Sequence, residues 1–198
     1  MAEFIEIKNL KKYFNTKRGN VHAVDDVSFT IKEGSTMGLV GESGCGKSTL
    51  GRTLVHLLES TDGNIYYREN DVTRLNKKQT KALREEMQMI FQDPFSSLNP
   101  RMTVKATVQE PLILSGKYRG AELEEATFTV MESVGIEKRF QYSFPHELDG
   151  GRRQRVGLAR ALAVDPRFIV CDEPVSALDV SIQAQILNLL MTCRRVKK

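Results

Sequence analysis

The run Met37-Gly38-Leu39-Val40-Gly41-Glu42-Ser43-Gly44-Cys45-Gly46-Lys47-Ser48 decides the reading of this chain. Its first four residues are short, apolar and unbroken by charge, the pattern of a central parallel strand covered on both faces. A helix then begins near Lys47, with Leu50, Leu54, Leu57 and Leu58 on one face. Between strand and helix, residues 41–48 fit the spacing Gly-x-x-x-x-Gly-Lys-Ser throughout. Glycines let the backbone bend tightly, so that successive N–H groups point inward at phosphate oxygens. The helix N-terminus adds partial positive charge. In such a bend Lys47 would neutralise the β- and γ-phosphates of a nucleoside triphosphate, Ser48 would ligate Mg²⁺, and Thr49 would assist at the α-phosphate. The candidate cradle is therefore Gly41, Glu42, Ser43, Gly44, Cys45, Gly46, Lys47, Ser48 and Thr49.

A second apolar run, Phe168-Ile169-Val170-Cys171, leads into Asp172-Glu173-Pro174. An aspartate at the C-terminal end of a parallel strand is placed to hold Mg²⁺ through water. The next carboxylate can polarise an attacking water, which makes Glu173 the candidate general base.

The rest of the chain frames these two sites. Val27, Phe29 and Ile31 alternate with Ser28 and Thr30, as in a half-buried antiparallel strand, and Ile65-Tyr66-Tyr67 follows the turn signal Asp62-Gly63-Asn64. Leu123, Ala126, Val130 and Val134 form a helical stripe closed by Gly135, and Ile182, Ile186, Leu189 and Leu190 form another. Pro94, Pro100, Pro111 and Pro145 read as boundaries within a helical insertion in an α/β core. The expected organisation is one nucleotide-binding domain, with residues 1–92 and 151–198 as its core and 93–150 as a helical subdomain.

A chain of 198 residues, 40% hydrophobic and 27% charged, supports a real core. The 29 basic and 25 acidic residues give a formal charge of +4. The basic cluster Arg152-Arg153-Gln154-Arg155 has no interleaved aromatics, so a mixed solvated surface is expected and no nucleic-acid partner. Cys45, Cys171 and Cys193 have neither metal nor disulfide spacing, which fits a reducing compartment, with Cys171 buried in its strand. No apolar run reaches the roughly 18–20 residues of a membrane span, so any membrane role comes through a partner.

With two further stretches, the chain resembles the nucleotide-binding subunit of an ATP-binding cassette (ABC) transporter. Gln92, in Phe91-Gln92-Asp93-Pro94, matches the family's Q-loop, which implies contact with Mg²⁺ and the attacking water. Leu148-Asp149-Gly150-Gly151-Arg152 stands where the family carries its Leu-Ser-Gly-Gly-Gln signature, and Ser176-Ala177-Leu178-Asp179 matches the D-loop. Phe14, ahead of Tyr13, takes the place of the aromatic that stacks on adenine. The wording of residues 41–48, 91–100 and 170–185 is similar to the oligopeptide/dipeptide/nickel importer branch. The resemblance implies an α/β P-loop fold with an N-terminal antiparallel β subdomain and an inserted helical subdomain. It also implies a peripheral ATPase on the cytoplasmic membrane face, paired head to tail with a second ABC ATPase subunit, identical or related. Two permeases and, indirectly, an extracytoplasmic substrate-binding protein complete the assembly. Leu148, Asp149, Gly150, Gly151, Arg152 and Asp179 then contact the partner's nucleotide.

Two features depart from the family. Asp149 replaces a serine whose hydroxyl meets a phosphate. Like charges about 4 Å apart repel by roughly 4 kcal/mol at an effective dielectric near 20, unless Arg152 neutralises one of them. The family also continues past the Ile182–Leu190 helix to another core strand and a histidine, whereas His22, His56 and His146 all precede Asp172. The tail from Met191 abandons the amphipathic pattern, and one coding of it read a base out of phase resembles the family's continuation, so a truncating frameshift is expected. An unpaired core strand edge and slow turnover would follow. The alternatives are a hydrolysis-defective nucleotide-binding fragment, a cassette ATPase acting outside transport and, more distantly, a P-loop kinase.

Overall fold

A computed structural model describes residues 3–17, 19–175 and 180–195, and these form two compact units, residues 1–84 and 85–198. The expected D-loop, Ser176–Asp179, lies outside the described residues.

The first unit holds an antiparallel sheet and, among its described residues, two short helices. Strand β1 (Glu3–Thr16) pairs with β2 (Gly19–Lys32) along most of its length and, on its other edge, with β3 (Asp62–Tyr67). The two-residue β4 (Asn70–Asp71) completes the order β2-β1-β3-β4. The alternation at Val27, Phe29 and Ile31 is realised, because these positions are covered while Ser28 and Thr30 face solvent. Ile5, Ile7, Leu10 and Ile65 are almost fully buried, and helix α1 (Lys47–Leu54) packs against β1 and β2. Helix α1 stops before the predicted stripe does: Leu50 and Leu54 are buried, but Leu57 is exposed beyond the helix end. Helix α2 (Lys77–Glu86) closes the unit, with Leu83 as its buried residue.

One expectation fails here. Met37–Val40 belongs to no sheet among the described residues, and Val40 is 95% exposed. An extended segment becomes a strand only when a neighbour supplies the other half of its ladder. No neighbour does so here. The apolar composition announces a buried strand, but composition alone cannot provide the partner.

The second unit is built on a parallel pair, β5 (Met87–Ile90) with β6 (Phe168–Cys171), in register Met87 to Phe168 through Ile90 to Cys171. Among the described residues the sheets are therefore two, one antiparallel and one parallel. Between these strands run α3 (Pro94–Ser97), α4 (Val104–Ser115), α5 (Gly120–Ser133) and α6 (Gly150–Leu162), and after β6 comes α7 (Val180–Arg195). Cys171 ends β6 with part of its surface exposed, while burial of its thiol pushes the pKa up to about 11. Pro111 lies inside α4 and not at a boundary.

Helix α5 ends as its sequence foretells. Gly135 takes φ +71°, its N–H donates to Glu132 O at 2.8 Å, and the Ile136 N–H donates to Met131 O at 2.9 Å. This double closure satisfies the last carbonyls and turns Ile136 into the core. The buried face of α5 is Thr127 and Met131, with Val134 just beyond. Leu123, Ala126 and Val130 are only half-covered.

Candidate functional site

The phosphate cradle is a backbone structure in the first unit. Gly44 and Gly46 take φ of +80° and +96°, conformations that an L side chain resists. At Gly46 there is a second constraint, because a Cβ there would stand 1.9 Å from Ala23 O of β2. The glycine thus lets the loop pass against the sheet and turn directly into α1, whose first bond, Leu50 N–H to Gly46 O, is 2.8 Å. A Cβ at Gly41 would meet Cys45 Sγ at 2.7 Å, so the two ends of the bend touch. Lys47 Nζ donates to Gly41 O at 2.9 Å and to Glu42 O at 2.7 Å, which draws an ammonium group across the mouth of the loop. Glu42, Ser43 and Cys45 are exposed, and Ser48 and Thr49 lie half-buried in the first turn of the helix. Glycine geometry, a helix N-terminus and a lysine crossing the bend suit a chain of phosphates.

Tyr13 and Phe14 differ in their surroundings. Adjacent strand residues face opposite ways. Tyr13 stacks on His22, with ring centroids 3.9 Å apart, and its hydroxyl donates to Asp25, which pushes the phenol up to about 12. Phe14 is half-buried, with Lys12 Nζ 5.0 Å from its ring centre. The tyrosine is engaged within its own hairpin.

In the second unit, the acidic pair and the Q-loop glutamine come together. Asp172 is nearly buried, and its N–H donates to Ile90 O at 2.9 Å, which continues the β5–β6 register by one residue. Glu173 turns out of the strand at φ +43°, and its Oε2 accepts from Gln92 Nε2 at 2.7 Å. Gln92 and Glu173 lie 81 residues apart in sequence, and the parallel pairing of β5 and β6 brings their C-terminal ends side by side.

The signature stretch is a helix start. Asp149 is the N-cap of α6, and its Oδ1 accepts from the Arg152 N–H at 2.8 Å. Its other oxygen pairs with the Arg152 guanidinium, which also lies over the Phe140 ring. The anticipated bare negative charge is thus paired inside the motif. Leu148 is buried in the core of this unit, and a Cβ at Gly151 would stand 3.1 Å from Ile182 of α7, so that glycine has a packing role. Asp179 lies outside the described residues.

The sequence reading missed the side chains that hold this half-site. Gln154, 2% exposed, donates from Nε2 to Pro174 O at 2.6 Å, and Gln183 of α7 donates to Val175 O at 3.1 Å. Arg153, Arg155 and Arg160 donate to the carbonyls of Leu148, Val134 and Ser97, and Arg155 also reaches Gln185. Burial pulls the Arg160 guanidinium pKa down. The basic run is a set of internal ties more than a solvated surface. Its signal was available in one place: Gln154 sits in the buried stripe Gly151, Leu158, Ala161, a polar residue in an apolar row.

Glycine-lined bend, strand-end carboxylates and an inserted set of helices define a P-loop nucleotide-binding protein of α/β class. The family described as ABC transporter matches residues 24–176, and the chain belongs to that family. It is 51% identical over 197 residues to the oligopeptide transport ATP-binding protein OppF of Bacillus subtilis, covering 98% of this chain and 65% of that protein. It is 47% identical to the dipeptide transport ATP-binding protein DppF of Haemophilus influenzae, covering 92% of this chain and 58% of that one. The chain thus spans less than two thirds of the length of these curated relatives. Among solved structures it is similar to the ATP-binding cassette MJ0796, a dimer in a post-hydrolysis state bound to ADP and Pi. That match has a TM-score of 0.87 at 32% identity over 98% of this chain and 84% of that one.

Proposed function

We propose that this chain is the ATP-binding and ATP-hydrolysing part of a peptide-class ABC importer subunit. The observation that carries the reading is the cradle of residues 41–48, where glycine conformation, the α1 N-terminus and Lys47 converge. Its relatives' names supply the class of cargo, oligopeptides and dipeptides. In this reading Phe14 stacks on adenine, residues 41–47 hold the phosphate tail, and Ser48, Gln92 and Asp172 are the Mg²⁺ ligands, directly or through water. The ion, when bound, neutralises phosphate charge. Glu173 accepts a proton from the attacking water, and Gln92, already hydrogen-bonded to that carboxylate, orients both. Residues 93–150 act as the helical subdomain that carries the signature.

The partners in this proposal are a second ABC ATPase subunit, identical or related, two membrane permeases, and a substrate-binding protein acting through them. The place of work is the cytoplasmic face of a membrane. The dimeric cassette MJ0796 supports the pairing. Among the described residues no helix is long and apolar enough to cross a membrane, which fits attachment through permeases. Asp149, Gly150, Arg152 and Asp179 face the partner's nucleotide in this scheme, while Leu148 and Gly151, buried against the core and Ile182, hold the motif in place.

The test is calorimetric titration of Mg-ATP into the parent and into Lys47→Ala. Charge-assisted hydrogen bonds contribute about 1.5–3 kcal/mol, so affinity should fall roughly 10- to 100-fold in the variant. Equal affinity in the two proteins, or no heat with folded parent, refutes the proposal.

A further inference from the structure

We infer that Gln154 is a positioning residue for Glu173, and that through it the signature helix α6 sets the place of the acidic pair; this rests on the role proposed above for Glu173. Three observations converge. Glu173 holds φ +43°, a conformation costly for a residue with a Cβ, so the surrounding structure must impose it. The next carbonyl, Pro174 O, accepts from Gln154 Nε2 at 2.6 Å, and that amide is 2% exposed. Finally, Gln154 stands two residues beyond Arg152 on the helix that Asp149 caps, so cap and tie belong to one rigid rod.

The physical consequence follows from burial. A primary amide enclosed in an apolar row is costly unless it is bonded, and the carbonyl it meets would be equally costly to abandon. The bond therefore behaves as a fixed link rather than a solvent-exchangeable one. Displacement of α6 along its axis carries the Pro174 carbonyl with it and reorients the residue immediately before. Gln183, reaching Val175 O from α7 at 3.1 Å, holds the following residue from a second helix. The acidic pair is thus steered from its C-terminal side by Gln154 and met at the carboxylate by Gln92.

The experiment compares the parent with Gln154→Met, which keeps the side-chain volume and removes the donor. Amide hydrogen exchange is read at Glu173 and Val175 and, as an internal control, across residues 104–133. In the parent, Glu173 and Val175 should be protected above a free loop. In the variant their exchange should rise roughly tenfold with the control unchanged, since one buried hydrogen bond is at stake. ATP turnover should fall by a similar factor in kcat, with KM within about twofold, because binding residues are untouched. Parent amides exchanging at free-loop rates overturn the inference without any variant. So does exchange that rises equally in 104–133, or KM and kcat changing together. If Glu173→Gln turns over ATP as fast as the parent, the role of Glu173 fails, while the exchange data still judge the tie itself.

Discussion

The cradle at residues 41–48 and the acidic pair at 172–173 are shaped by opposite means. The first is a backbone object: two left-handed glycines, a helix start and one lysine that crosses the bend onto two carbonyls. The second is held by side chains from elsewhere, with Gln92 on the Glu173 carboxylate and Gln154 and Gln183 on the carbonyls that follow. A backbone site fails through the wrong residue inside it, whereas a braced site also fails through residues far along the chain.

The largest effect that separates them is chemical. Glu173→Gln should lower ATP turnover by about 10²–10⁴-fold, the usual contribution of a positioned general base, while Mg-ATP affinity stays within a few fold of the parent. Turnover and binding measured on the same preparation check this. Loss of both together would show that the braced half-site also grips nucleotide, and the contrast would collapse.

Next comes the cradle's own vulnerability. Gly46→Ala meets Ala23 O at 1.9 Å and imposes φ +96° on an L residue. Strain of this kind costs on the order of 1–3 kcal/mol before the clash is relieved. Thermal unfolding should shift down by several degrees, at roughly 2–4 °C per kcal/mol for a chain of this size. Gly44→Ala, with nothing within 4 Å of its Cβ, should lose less, since only its φ of +80° is strained. Equal losses would mean that the approach to β2 does not constrain the loop.

This difference explains what the sequence could reveal. Glycine spacing and the following lysine are local requirements, and they stand in consecutive residues, so the cradle was legible before any fold was known. The strand before it was read correctly as apolar and wrongly as paired, because pairing depends on a neighbour that Met37–Val40 does not have among the described residues. At the acidic pair, the carboxylates were visible as the end of an apolar run. Their braces were not, because a buried glutamine on α6 and another on α7 become partners only through tertiary packing. Asp149 shows the same limit from the other side. Its charge suggested repulsion, and the structure makes it a helix cap paired with Arg152.

That pairing gives the third comparison. Serine and aspartate cap helices about equally well, and an ion pair as exposed as Asp149–Arg152 contributes only about 0.2–1 kcal/mol. The Asp149→Ser, Arg152→Gln double variant should therefore unfold within about 4 °C of the parent, with a weaker dependence of stability on salt. Its ATP turnover should be higher than the parent's, because in the role proposed for the signature a hydroxyl then meets phosphate in place of a carboxylate. Unchanged turnover would show that internal pairing with Arg152 already removes the cost of the aspartate.

The smallest effect belongs to the first unit alone. His56 follows α1 at φ +56°, half-buried, and desolvation with help from the Arg84 charge lowers its pKa below the ordinary 6.5, against an opposing pull from Glu59. In the unfolded chain the imidazole titrates near that ordinary value, so below about pH 6.5 the unfolded state binds the proton more readily than the folded one. Stability contributed by the neutral, buried ring is thus complete at neutral pH. It is lost as pH falls from 6.5 toward the lowered folded value, below which the loss levels off. His56→Asn tolerates the left-handed backbone and cannot titrate. Urea midpoints between pH 7 and 5 should fall in the parent and stay flatter in the variant, with the difference confined to the unfolding of residues 1–84. A parent curve as flat as the variant's would show that His56 reaches solvent when charged.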